Sequence, residues 1–259
     1  MRSHGFTLIE LIVVIVIIGI LSVGFTSLYT QSIDQYLDAN RRSDLSATAR
    51  LALERVSREL RDALPNSVRV TPSGNCVEFR PLATAQYYLD IPIAAPASSF
   101  SAITFPLPSS GSWSAAIMPL DIADSYDTSA SNSKAVVGIA SVSPLGTNSV
   151  QVNLVSANRF PRTSPARRFF VTGTPISFCV SAGELRRYQG YGVQATQPTP
   201  GSGLSGGDLL ARNIVNPAAI FQYQAGTLER NALLTVALDL RSGDEQIRHE
   251  HEVLIRNVP

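Results

Sequence analysis

Apolar and polar positions follow three different rhythms along this chain. Residues 6–28 form a near-continuous apolar run of 23 residues whose single charge is Glu10. About 20 apolar residues in a helix span the hydrocarbon core of a bilayer, and an open segment in lipid must bond its own backbone. The run therefore predicts a transmembrane helix. From Thr30 to Leu64 there is neither Gly nor Pro. Ile33, Leu37, Leu45, Ala49, Leu53, Val56, Leu60 and Leu64 recur there mostly at intervals of three, four or eight, the stripe of an amphipathic helix. Its other face carries Arg41, Arg42, Arg50, Arg55, Arg58 and Arg61 with Asp34, Asp38, Asp44, Glu54, Glu59 and Asp62. Glu54 and Arg58, four apart, predict a surface pair worth ~0.2–0.5 kcal/mol. Pro65 ends the helix. One continuous helix from Phe6 to Leu64 would be about 88 Å long at 1.5 Å per residue.

Beyond Pro65 the rhythm shortens. Ser67–Thr71, Cys76–Arg80, Ala135–Ala140, Ser149–Val155, Phe169–Val171, Ile176–Val180, Ala219–Gln224, Leu234–Leu240 and Gln246–Ile255 read as strands. Pro, Gly, Ser and Asn separate them, as in antiparallel sheets. Pro92 to Trp113 and Thr196 to Gly207 read as loops. The fold class is α+β: a long N-terminal transmembrane and amphipathic helix, then a β-rich antiparallel head of one or two sheets. The divisions are a leader at 1–5, a membrane helix at 6–28, an amphipathic helix at 29–64 that packs on the head, and the head itself at 65–259. No repeat and no second domain boundary is visible.

The carboxylate is the informative exception in the apolar run. An acidic side chain inside a membrane helix costs roughly 2.5–3.5 kcal/mol even on insertion scales, and such residues usually mark function. A cleaved signal peptide has a shorter apolar region closed by small residues, and an ordinary anchor gives no reason for Glu10. Arg2 and the N-terminal amine favour a cytoplasmic leader, which places the head outside the cytoplasm.

Gly5-Phe6-Thr7-Leu8-Ile9-Glu10 resembles the processing and N-methylation motif of type IV pilins and type II secretion pseudopilins. The resemblance implies cleavage between Gly5 and Phe6 by a prepilin peptidase and methylation of the Phe6 amine. It also implies storage in the inner-membrane lipid with a periplasmic head, then insertion by an assembly platform into a filament of major and minor pilins. Glu10 would attract the Phe6 amine of a neighbouring subunit. In a dry filament core each charge is costly alone and tolerable when paired, so the pair sets axial register. Ala47 to Arg61 is similar to the matching helix of J-type minor pseudopilins. Arg167-Arg168-Phe169-Phe170-Val171, Pro175-Ile176-Ser177-Phe178-Cys179-Val180 and Leu185-Arg186-Arg187-Tyr188-Gln189-Gly190-Tyr191 resemble the large MshO-type minor prepilins of mannose-sensitive haemagglutinin pili. The implied function is a minor pilin-like subunit that promotes assembly or forms the tip. The alternatives are a J-type secretion pseudopilin and a tip adhesin or DNA-binding minor pilin.

Charge and candidate chemistry refine this picture only slightly. The formal net charge is +1, which argues against a broad nucleic-acid footprint. Cys76 and Cys179 are the only cysteines. An oxidising compartment favours a disulfide between them over two buried thiols. Asp121, Asp124 and Asp127 are oxygen ligands at the short spacing a calcium ion takes, although the helix–loop–helix pattern is missing. His249 and His251 alternate with Glu250 and Glu252 and lack a third ligand. Gly201 to Gly207 lacks the Lys-Ser or Lys-Thr of a phosphate loop. Arg167, Arg168, Arg186 and Arg187 with Tyr188 and Tyr191 form a candidate cationic aromatic patch. No nucleophile–base–orienter set is visible, so the reading is not an enzyme and needs no cofactor.

Overall fold

The computed structural model describes residues 7–215, 219–226 and 230–256. Helix α1 (Leu8–Arg61) runs unbroken for 54 residues, or about 81 Å. It stops three residues short of the expected Leu64. Asp62 closes it, and the chain then turns into sheet-like pairing. Leu64 N–H donates to the Arg80 carbonyl at 2.8 Å, Leu82 N–H donates to that of Asp62 at 2.8 Å, and Ala63 bridges Pro81. These partners give the last backbone groups a better outlet than one more helical turn.

The strands follow in order. They are β1 (Arg69–Val70), β2 (Cys76–Phe79), β3 (Leu82–Asp90), β4 (Ala97–Ile103) and β5 (Ser114–Ala116). After the short helix α2 (Ile122–Ser125) come β6 (Val136–Pro144), β7 (Ser149–Asn158), β8 (Arg168–Thr172), β9 (Ile176–Ser181) and β10 (Glu184–Gln189). The last are β11 (Thr199–Pro200), β12 (Gly203–Leu204), β13 (Asp208–Ala211), β14 (Phe221–Gln224), β15 (Ala232–Ser242) and β16 (Glu245–Ile255). They build a five-stranded sheet β1-β2-β9-β10-β13, a three-stranded sheet β14-β15-β16, a two-stranded pair β11-β12 and a closed barrel β3-β4-β7-β6-β5-β8. The head is thus a helix-backed pair of sheets with a barrel inserted between β2 and β9.

Several of these strands escape the pattern. β3 and β10 carry too many polar residues, β5 and β13 are short, and β4 (Ala-Ser-Ser-Phe-Ser-Ala-Ile) lies inside the expected Pro92–Trp113 loop. β4 qualifies because Phe100 and Ala102 alternate into the barrel. The Thr196–Gly207 segment also contains the β11-β12 pair. Conversely, β15 is legible at once: Ala232, Leu234, Val236, Leu238 and Leu240 are buried at every second position. Gly243, at φ 61, makes the tight turn into β16.

Two main cores result. In the first, Leu45, Ala49, Ala52, Leu53, Val56 and Leu60 of α1 pack against Phe79, Phe178, Leu185, Phe221, Leu234 and Ile255. In the second, the barrel is filled by aromatic rings. Phe100 meets Phe160 and Phe169 edge-on at 5.8 and 5.2 Å, and Phe105 meets Phe169 at 5.6 Å, the geometry the ring quadrupole prefers. A small cluster of Leu64, Ala116, Ala135, Val136 and Phe170 seats the barrel against the end of α1 remote from Glu10.

The helical stripe is only partly used. Ile33 and Leu37 remain 41% and 42% exposed, so the head covers α1 from about Leu45 onward rather than from residue 29. The reason is the length of the β15–β16 hairpin. Its tip reaches Arg42, whose Nε and Nη2 both donate to Glu245 at 3.0 and 2.9 Å. Among the described residues, the i,i+4 ion pair on α1 is Arg55–Glu59 rather than Glu54–Arg58. Glu59 is drawn that way because Arg187 of β10 also donates to it, at 2.9 and 3.0 Å.

Candidate functional site

Gly5 and Phe6 lie outside the described residues. The site is described from Thr7, the N-cap of α1. Its hydroxyl oxygen accepts from Glu10 N–H at 3.4 Å and lies 3.5 Å from Glu10 Oε2. Thr7-x-x-Glu10 therefore has the spacing of a capping box, and Glu10 sits in the first turn, where the helix dipole favours a carboxylate.

From there the helix surface is apolar on every side. Leu8, Ile9, Leu11, Ile12, Ile15, Ile18, Ile20, Leu21, Phe25 and Leu28 are all exposed, and the most apolar 18-residue window reaches a mean hydropathy of 2.9 with none of it buried. An all-round apolar helix wants lipid or other helices. Four of its hydroxyls are satisfied locally. Ser22, Thr26, Thr30 and Ser32 donate to the carbonyls four residues earlier, those of Ile18, Ser22, Thr26 and Leu28, at 2.6–3.1 Å. Each hydroxyl can thus enter hydrocarbon without an unmet donor.

The head contains a second polar centre that the sequence did not signal. Glu78, fully buried in β2, accepts from Arg69 Nε at 2.6 Å and from the Tyr191 hydroxyl at 3.1 Å. Tyr191 also shares a hydrogen bond with Ser177 at 2.7 Å. Arg69 lies 3.7 Å over the Tyr126 ring and donates to the Gln194 and Ala195 carbonyls. Nearby, Arg80 donates to the carbonyls of Gly173 and Ser125 and to the Ser114 hydroxyl. Burial pushes the Glu78 carboxyl up against the opposing pull of Arg69. Burial also lowers Arg80 to about 10 and raises the Tyr126 and Tyr191 phenols. These groups join the central sheet, the barrel and α2. Their partners are all used internally, so the arrangement positions the barrel.

This network dissolves the expected cationic aromatic patch. Arg187 is buried on Glu59, Tyr188 is 6% exposed, and Tyr191 is committed to Glu78. Arg186 pairs with Glu184 at 2.7 Å. The alternation that would offer Arg and Tyr to solvent instead runs along β10, an interior strand of its sheet.

The acidic loop is also locally engaged. Asp121 caps α2 by accepting from Asp124 N–H at 2.8 Å. Asp124 accepts from Leu120 N–H and from Arg162. Asp127 accepts from Ser129 N–H at 2.8 Å, and the Ser129 hydrogen bonds hold its carboxyl below the usual range. Among the described residues no group of three or more His, Cys, Asp or Glu converges to hold a metal. His249 and His251 lie on β16, the edge strand of its sheet, on the same face as Val253 and Ile255.

Cys76 and Cys179 are joined as a disulfide across 103 residues. They are direct partners on β2 and β9. The bridge therefore fastens the two strands between which the barrel is inserted.

Residues 1–26 match the family model of the prokaryotic N-terminal methylation motif. No curated protein matches the chain, and no solved structure does. The motif is the signal of type IV pilin-type prepilins, which prepilin peptidase processes. With the apolar helix that follows, it fits a membrane-anchored, pilin-like precursor.

Proposed function

We propose that this chain is a minor pilin-like subunit of a type IV pilus of the mannose-sensitive haemagglutinin kind, which promotes filament assembly or forms the tip. After cleavage between Gly5 and Phe6, α1 leaves the inner membrane and enters the filament core among major and minor pilins. Glu10 there pairs with the Phe6 amine of a neighbour and sets the stagger. One observation carries the reading: the methylation motif leads into a helix whose large apolar side chains, among them Leu8, Ile12, Ile18, Phe25, Ile33 and Leu37, stand exposed. The head covers the helix only beyond that stretch, which leaves it free for neighbours. The barrel seated against the far end of α1 supports a terminal position, because it adds bulk where a further subunit would stack.

The test is a count of pili by electron microscopy in a deletion strain complemented with wild type or Glu10→Ala. Filaments restored by wild type alone support an assembly subunit that needs its carboxylate. Normal pili in the deletion strain, with lost export of folded substrates, would move the chain to the J-type pseudopilins.

A further inference from the structure

Strand β16 ends its sheet with one side open. It is an edge strand whose only strand partner is β15. In an antiparallel pair every second residue turns its N–H and C=O away from the partner. About half of the positions from Glu245 to Ile255 therefore offer both groups outward. Among the described residues no backbone group outside β15 bonds to them. Natural edges are usually blunted by shortness, proline or a bulge. β16 is about twice the common strand length and contains no proline. Its register with β15 runs unshifted from Ser242–Glu245 to Ala232–Ile255.

The surroundings prolong this edge. Ile247, Val253 and Ile255 pack into the helix-backed core, so Gln246, Arg248, Glu250, Glu252 and Leu254 form the opposite, exposed face. Glu245 meets Arg42 at the start of the strand, whereas Val253 and Ile255 at its end join the core built on Leu45 to Leu60. β16 thus runs in the same direction as α1. On the Glu10 side of the hairpin tip lies a groove of about 570 Å³, walled by Gln35, Asp38, Arg42, Ser46 and Glu245 among others. Among the described residues its walls include none from β15. It therefore opens on the free side of β16 and continues the edge along the flank of α1.

We propose that the open edge of β16 accepts an extended, basic segment of a partner protein as an added strand. The edge selects the occupant's backbone, because a row of alternating N–H and C=O groups is matched by an extended chain. Charge selects its side chains. The exposed face carries Glu250 and Glu252 against Arg248, and Arg248 is already held by Asp239 at 3.8 Å and Glu250 at 3.4 Å. The surplus is acidic, which favours Lys or Arg at alternate positions across from it. A second copy of this chain does not meet these conditions. Parallel in-register pairing sets Glu250 and Glu252 against the same residues of the other copy, and like charges directly opposite destabilise. Antiparallel pairing points the two α1 helices in opposite directions, which two chains anchored in one membrane cannot adopt. That last exclusion rests on the membrane-anchored reading, whereas the edge and its charges belong to the head alone.

The test is amide hydrogen exchange on the full-length protein in non-ionic detergent, with synthetic peptides of the length of β16 as probes. One peptide alternates Thr with Lys, a second has Glu in place of Lys, and a third is the Lys peptide with alternate backbone nitrogens methylated. The Lys peptide at saturation should slow exchange of the outward β16 amides at least ~10-fold, and the methylated and Glu peptides should not. Glu250→Lys with Glu252→Lys should transfer the protection to the Glu peptide, a gain that a misfolded variant cannot produce. If that variant fails to fold, the wild-type comparison of Lys and methylated peptides still decides. No protection of β16 by the Lys peptide overturns the proposal, as does equal protection by its methylated form. A folded charge-swap variant that still prefers the Lys peptide overturns the basic segment. Sedimentation of the free protein as a dimer that the charge swap dissociates, with β16 exposed on dissociation, also overturns it, because the edge then belongs to a second copy. Each of these outcomes is read without pili and is independent of the filament count in the deletion strain.

Discussion

At the scale of single residues, buried charge makes the sharpest predictions. Glu78 keeps its place because Arg69 and Tyr191 satisfy it. Removing one partner of a buried pair leaves the other charge uncompensated, at about 3–5 kcal/mol. Arg69→Met should therefore destabilise the detergent-solubilised protein by that amount in urea unfolding, and Glu78→Gln in the Arg69→Met background should recover part of it. The sign of the pH dependence follows from burial. The Glu78 pKa is raised above 4.5 in the fold, so its contribution is fully present below 4.5 and is lost as pH rises through the raised value. The stability of wild type relative to Glu78→Gln should fall over that window and then level off. A flat difference curve would mean that Glu78 titrates normally.

At the scale of elements, α1 is one helix with two different surroundings. Leu8, Ile12, Ile18, Phe25, Ile33 and Leu37 are exposed, whereas Leu45, Ala49, Ala52, Leu53, Val56 and Leu60 face sheets. Leu60 is fully buried and Leu51, nine positions away on the outer face, is 68% exposed. Leu60→Ala should cost about 2–5 kcal/mol. Leu51→Ala should stay within ~0.5 kcal/mol, as surface changes do. Thermal unfolding of both variants, monitored by circular dichroism, checks which face carries the head. The apolar rhythm alone makes the helix and its buried positions legible in the chain. It overruns at both edges of the packed stripe, because Ile33 and Leu37 keep the period without having a sheet to meet. Leu64 keeps it too, after the backbone has already left the helix for Arg80.

At the scale of the whole molecule, the disulfide fixes the relation of sheet and barrel. It joins strands that are sequence-distant only because the barrel lies between them. Closing so long a loop is worth about 4–5 kcal/mol in the chain-entropy model, and removal of native disulfides typically costs 2–5 kcal/mol. Cys76→Ser with Cys179→Ser should lower stability by the smaller range and speed hydrogen exchange in β2 and β9 before it does so in α1. Protection unchanged in those strands would show that the network around Glu78 holds the insertion without help.

Sequence alone determined the N-terminal quarter and the general character of the rest. Periodicity and the unbroken absence of Gly and Pro specify a long helix, because each residue's helical bond lies four positions away. The carboxylate at residue 10 announces itself because its cost in lipid is local. The same local logic found β15, where apolar residues recur at every second position through the core-facing stretch. Only the tertiary structure decided the barrel, the pairing of Arg69 with Glu78, and the inward turn of Arg187 and Tyr191. Those depend on what lies across a strand boundary or a hundred residues away. A charged or serine-rich segment becomes a strand only when its neighbours supply the missing hydrogen bonds.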